Sequence, residues 1–163
     1  MIDPWIGSNN KIIDHLIIPL ITKASKAGFP VYIFTNNCRL TKTTPCPYRL
    51  NKKFNLLAKK FQKSHIIFWD NYNHQKFKET LHRQGISKLI YMGFASNMCV
   101  IGRPAGMVPM KIEGFSIYYI PEASAALEFN STEKTKQIHN TMTQIIASWL
   151  ANIIQFNEIY KKL

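Results

Sequence analysis

Acid is scarce in this chain. Aspartate and glutamate number 9 against 21 lysines and arginines, a formal net charge of +12 at neutral pH. The basic residues gather into no long block, which suits a solvated surface first and attraction to an anionic partner second. No RNA- or DNA-binding signature accompanies the charge, so nucleic acid is not an expected partner. Cysteine is scarce too: the three thiols, Cys38, Cys46 and Cys99, have no zinc-type spacing. Their odd number and the lack of a secretory leader point to a reducing, cytoplasmic setting. The five histidines (His15, His65, His74, His82 and His139) are far apart and form no ligand-spaced pair. No metal or other cofactor is therefore expected. No apolar run reaches the roughly 18 residues that cross a bilayer, so no membrane partner is expected either. Ile12 to Ile21 is interrupted by Asp14, His15 and Pro19 and reads as a buried helix. Repeats and low-complexity tracts are missing. What remains is a 46% hydrophobic chain that suits one compact domain, 1–163, with a real core.

Apolar periodicity divides that domain into alternating helices and strands. Lys11 to Lys26 carries Ile12, Ile13, Leu16, Ile17, Leu20 and Ile21 at near-helical spacing, and Gly28 closes it. Pro30 to Thr35 is β-branched and aromatic, hence a strand. Asn36 to Arg49 is polar, holds Pro45 and Pro47, and reads as a loop. A helix is expected over Asn51 to Gln62, a strand over Ile66 to Trp69, and a helix capped by Asn73 that ends before Gly85. Lys88 to Phe94 is a strand. The next helix starts at Cys99 and runs toward Met110, with Pro104 kinking it. Phe115 to Ile120 is a strand. Ser131 opens a partial capping box for a helix to about Trp149. Asn152 to Gln155 is a last strand, and Asn157 to Leu163 a last helical turn or two.

Strands alternating with helices argue for an α/β fold: a three-layer α/β/α domain with an open, mostly parallel sheet. Ligands in such sheets bind outside the carboxyl ends of the strands. Asp3, Trp69-Asp70-Asn71 and Phe94 to Cys99 all fall at such ends.

The stretch Gly93-Phe94-Ala95-Ser96-Asn97-Met98-Cys99-Val100 concentrates the chemistry. Cys99 stands where a strand ends and a helix begins. Ser96 and Asn97 are N-cap candidates, which puts Cys99 in the first helical turn. Oriented N–H groups there favour a thiolate and can hold an oxyanion. A cysteine is more often a small buried hydrophobe, and it is the strand-to-helix position that argues otherwise here. Arg103 lies one helical turn on. It is either a surface arginine or a clamp for a substrate carboxylate.

The same stretch resembles the nucleophile segment of the isochorismatase-like cysteine hydrolases, which include nicotinamidases, N-carbamoylsarcosine amidohydrolases and isochorismatases. Asp3-Pro4-Trp5 is similar to the acidic end of their first strand, and Lys26 to Ile33 to their second helix-to-strand junction. The resemblance implies a six-stranded sheet of order 3-2-1-4-5-6. It also implies a C–N hydrolase acting on a small amide or carbamoyl substrate, with Cys99 as nucleophile and Asp3 as general base. The oxyanion hole would be built at Ala95 and Cys99, beside a cis Phe94–Ala95 peptide. Trp5, Phe94, Asn97 and Arg103 are the candidate substrate-binding residues. Only Met1 and Ile2 precede Asp3, so the first strand is very short or the chain continues upstream. Members often form dimers or tetramers, so a homo-oligomer is expected, with Met107 to Met110 at an interface.

The chain departs from the family at one point. The family's triad lysine stands just past strand 3, where this sequence has Trp69-Asp70-Asn71-Tyr72-Asn73. Three alternatives stay open. Lys76 reaches back, or Asp70 or Asn71 substitutes, or hydrolysis is lost and the protein is a binding or scaffold module. The family's nicotinamidases carry an Asp and His cluster after strand 2. Here Thr35 to Leu40 has neither acid nor histidine, which makes nicotinamidase the less expected member.

Overall fold

In a computed structural model, which describes residues 10–36 and 50–163, the strand signals become two parallel ribbons. β1 (Val31–Thr35) pairs with β2 (Ser64–Phe68) from Val31↔Ser64 to Thr35↔Phe68. β3 (Lys88–Phe94) pairs with β4 (Ser116–Ala125), and β4 with the short β5 (Asn152–Ile153). Every pairing is parallel, and each is one that the expected order places between neighbours. Among the described residues Val31, Phe34, Leu89 and Tyr91 line an apolar cavity of about 460 Å3. The expected first strand, Met1 to Trp5, lies outside the described residues, as does most of the loop 36–49.

Helix α1 comes as three consecutive pieces, Asn10–Ile12, the wide π-turn Ile13–Ile17 and Ile18–Lys26. The wide turn lets the Ile18 N–H reach Ile13 C=O. It ends two residues before Pro19, whose ring would crowd the carbonyl four residues back in a regular helix. α2 (Lys52–Lys60) is capped by the Asn51 side chain, and α3 (His74–Arg83) by the Asn73 side chain, which accepts from Lys76 N–H. The helix expected from Cys99 to Met110 is instead two short ones, α4 (Cys99–Gly102) and α5 (Met107–Ile112). Pro104 explains the break: the residue before a proline is pushed to extended backbone, and Arg103 has ψ 157°. α6 consists of Gln137–Ile145 and a second wide turn, Ile146–Leu150; α7 is Phe156–Lys162.

Alternate strand residues go to opposite faces of the sheet. Phe34, Tyr91, Ile117 and Tyr119 pack with Leu81, Val100, Met107, Met110, Ile146 and Leu150, under α3 to α6. Val31, Ile33, Met92, Phe94 and Ile120 pack with Ile13, Ile17, Leu20 and Phe54, under α1 and α2. Helices thus cover both faces, as a parallel sheet requires.

Two expectations need correction. β4 runs past Ile120 to Ala125, because its register against β3 shifts between Tyr91 and Gly93 and absorbs Pro121, which has no N–H for a ladder. No capping box forms at Ser131; the turn runs on, and the Glu128 carboxylate accepts the Ile138 and His139 N–H groups at the start of α6. Met107 and Met110 are fully buried in the core, while Val108 and Pro109 between them are part-exposed.

Candidate functional site

β3 delivers the site. Its apolar alternation buries Tyr91 to Phe94, and the chain then turns sharply before α4. The Ala95 carbonyl accepts both Met98 N–H at 3.0 Å and Val100 N–H at 3.1 Å. The Phe94–Ala95 peptide is cis. Cys99 follows as the first residue of α4, with its side chain half-buried and its thiol outside any disulfide.

Neither Ser96 nor Asn97 caps this helix. Met98 holds the cap position and makes no side-chain cap bond. Both side chains are committed elsewhere. Ser96 is fully buried, and its Oγ meets His139 Nδ1 at 3.3 Å. The Asn97 side chain donates to Leu127 C=O at 3.2 Å and accepts Leu127 N–H at 2.9 Å. Ser96 N–H adds a bond to Ala125 C=O at 2.9 Å. The turn before Cys99 is therefore pinned to the segment that follows β4.

Of the residues expected to bind substrate, Phe94 is buried with Met92, Ile120 and Ala123 in the core behind the turn. As the last residue of β3 it alternates onto the face opposite Tyr91. Asn97 spends both ends of its amide on Leu127. Arg103 is half-buried, and its guanidinium carbon lies 5.3 Å from the centroid of the Trp69 ring. Trp69 stacks on Phe34 at 4.8 Å and meets Tyr72 edge-on. Asp3 and Trp5 lie outside the described residues.

Tyr72 is itself held. Its hydroxyl pairs with His74 Nδ1 at 2.9 Å, and His74 Nε2 lies 3.2 Å from Glu113, which Lys78 also bonds at 2.7 Å. The bond from Lys78, then that from His74, keeps the Glu113 carboxyl below its ordinary range, whereas burial pushes the Tyr72 phenol up. Tyr72 therefore keeps its proton, and its hydroxyl, the His74 ring, Glu113 and Lys78 form one chain of polar contacts.

The comparisons separate sequence from fold. Neither a family model nor a curated protein matches the chain. Solved structures do. A cysteine hydrolase from Pseudomonas syringae pv. phaseolicola 1448A superposes with a TM-score of 0.73 at 11% identity, over 99% of this chain and 89% of that one. An isochorismatase from Pseudomonas putida KT2440 gives 0.71 at 19% identity, over 97% and 87%. The fold is the isochorismatase-like fold. Nicotinamidases share it: that of Bacillus subtilis gives 0.69 at 15% identity, over 93% and 95% of the two chains.

On the isochorismatase-like fold, the place just past β2 is a 3-10 turn, Trp69–Asn71, with Asp70 and Asn71 exposed. Lys76 is an exposed residue of α3. Among the described residues no three of His, Cys, Asp and Glu gather into a metal-ligand group. No described helix is long and apolar enough to cross a membrane.

One residue escaped the sequence reading. His139, on α6, closes on Ser96 from 43 positions away. Burial first, and then Lys136, pushes its ring below the ordinary histidine range. No spacing signal marks it, since the contact exists only once α6 docks on β4.

Proposed function

We propose that this chain hydrolyses a C–N bond of a small amide or carbamoyl compound through Cys99. The observation that carries the reading is the position of that thiol, half-buried, at the first residue of the helix that follows β3. A further support is the fold, shared with structures described as a cysteine hydrolase, an isochorismatase and nicotinamidases.

The reading takes Met1 to Trp5 as a strand between β1 and β3, completing a six-stranded sheet and bringing Asp3 toward Cys99. The Asp3 carboxylate takes the thiol proton, and Sγ bonds to the substrate carbonyl carbon. The resulting oxyanion is held by N–H groups at Ala95 and Cys99. The C–N bond breaks, the amine leaves with the proton from Asp3, and a thioester remains. Water then gives a proton to Asp3, which passes it to the departing sulfur, and its oxygen to the carbonyl carbon. The C–S bond breaks, and the acid product departs. The substrate is a small molecule, and the protein is taken as a cytoplasmic homo-oligomer. Exposed Ile112 on α5 and Trp149 on α6 are more available to an interface than the buried Met107 and Met110.

A second reading is a binding or scaffold protein that keeps the fold without turnover. It is favoured by Asp70 and Asn71 at the end of β2, because a carboxylate near a thiol opposes its ionisation. The test is a hydrolase screen over small amides and carbamoyl compounds with wild type and Cys99→Ala. Activity that disappears with the sulfur supports the enzyme. Activity that survives the substitution comes from elsewhere and overturns the role of Cys99, and no activity on any substrate supports the second reading.

A further inference from the structure

Helix α6 departs from the rest of this basic chain. From Gln137 to Asn157 the sequence has no lysine, arginine, aspartate or glutamate, its longest such stretch. Helices α1, α2, α3, α5 and α7 each carry lysine. A helix sunk in the core would need no charge, but α6 lies at the surface. Of its residues only Ile146 and Leu150 are buried.

The outer side of α6 is apolar. Ile138, Met142, Ile145 and Trp149 recur at intervals of four, three and four, which sets them along one flank of a helix. Ile138 and Met142 are half-buried, Ile145 is exposed, and Trp149 is 55% exposed. At the start of the helix, Ile138 and Met142 join Phe129, Thr132, Gln137 and Thr141 around a groove of about 250 Å3. Phe129 is 70% exposed there. At the far end, the Lys111 amine bonds Trp149 C=O and stands 5.9 Å from the Trp149 ring centroid. Lys136, at the cap position of α6, and Lys111 therefore mark the two ends, with no formal charge between them along the helix. Single exposed apolar residues are ordinary. Aligned and free of charge, with aromatics and methionine among them, they have the composition of an interface core.

We propose that α6, with Phe129 beside it, is the face on which a second copy of this chain docks about a two-fold axis. Charge argues for this occupant. Two copies at +12 repel each other, and they approach most closely where both are neutral. A two-fold contact sets the same patch on both sides, so an uncharged helix meets an uncharged helix. An acidic partner would find its lysines on α2 and α3 instead. The proposal names the surface for the homo-oligomer taken above, and it does not depend on the chemistry of Cys99.

Light scattering over a dilution series tests it. The wild type is expected at twice the chain mass. Ile145→Lys and Trp149→Lys change exposed side chains, so both should keep the wild-type circular dichroism. Each sets its new charge at the interface twice, once from each copy. Each should raise the dissociation constant about a hundredfold or more and so halve the mass. Leu56→Lys, at an equally exposed apolar residue on α2, should leave the mass unchanged. Should a lysine variant misfold, Trp149→Ala reads the same face with a smaller loss. A monomeric wild type overturns the proposal and leaves α6 to another kind of partner. So does an oligomer whose mass no α6 variant lowers, or one that Leu56→Lys lowers as much. None of these outcomes involves the sulfur, so the proposal can fail while the nucleophile reading stands.

Discussion

Ser96 Oγ lies 3.3 Å from Nδ1 of His139. The contact closes a circuit. Ser96 N–H holds Ala125, Asn97 holds Leu127, Glu128 holds the first N–H groups of α6, and α6 returns His139 to Ser96. The turn that presents Cys99 is thereby tied at both ends to β4 and α6.

Acid should loosen that circuit. Burial, then Lys136, holds His139 below the ordinary value of 6.5 in the folded protein. As pH falls through 6.5 the unfolded chain binds a proton that the folded chain refuses, so stability declines. It is complete above 6.5 and levels off once the folded ring titrates. The carboxyls of Glu113 and Glu128 are also lowered, but their stabilisation disappears only below 4.5. Thermal melts from pH 4 to pH 8 should thus show two descents, and His139→Gln should remove the upper one alone.

Asn97 is expected to matter for rigidity more than for binding. Asn97→Ala leaves Leu127 N–H and C=O to water, a loss of about 1 kcal/mol in urea denaturation. Hydrogen exchange at Leu127 should quicken in the same variant. Substrate KM, once an activity is in hand, should move less than the exchange rate.

The loop between α4 and α5 is close-packed at one glycine and open at another. A Cβ on Gly106 would lie 2.6 Å from Ile101 O and 2.8 Å from Arg103 O, both main-chain atoms. Gly106→Ala should cost about 1–3 kcal/mol. At Gly102, the last residue of α4, a Cβ would meet nothing within 4 Å. Gly102→Ala should be neutral or stabilising by up to about 1 kcal/mol. The pair of melting curves checks both.

Much of the architecture was readable from local pattern. β3 begins and ends where its apolar run does, and α3 starts after Asn73 and stops before Gly85, which has φ 67°. These are signals carried within a few residues. Pro104 announced a disturbance but not its size, because whether a helix kinks or breaks depends on what Arg103 packs against. The Ser96 and Asn97 caps failed for a related reason. Their side chains have local bonding options, and tertiary partners at His139 and Leu127 outcompeted the helix start.

By itself the order of apolar and polar residues determined that strands and helices alternate, and that Cys99 follows the end of a strand. Those outcomes rest on short-range geometry: the two-residue repeat of a pleat and the 3.6-residue repeat of a helix. Which side chains meet around the turn that carries Cys99 was decided only by the packed molecule. Arg103 over Trp69 and His139 against Ser96 are contacts between elements whose separation along the chain carries no information about their distance in space.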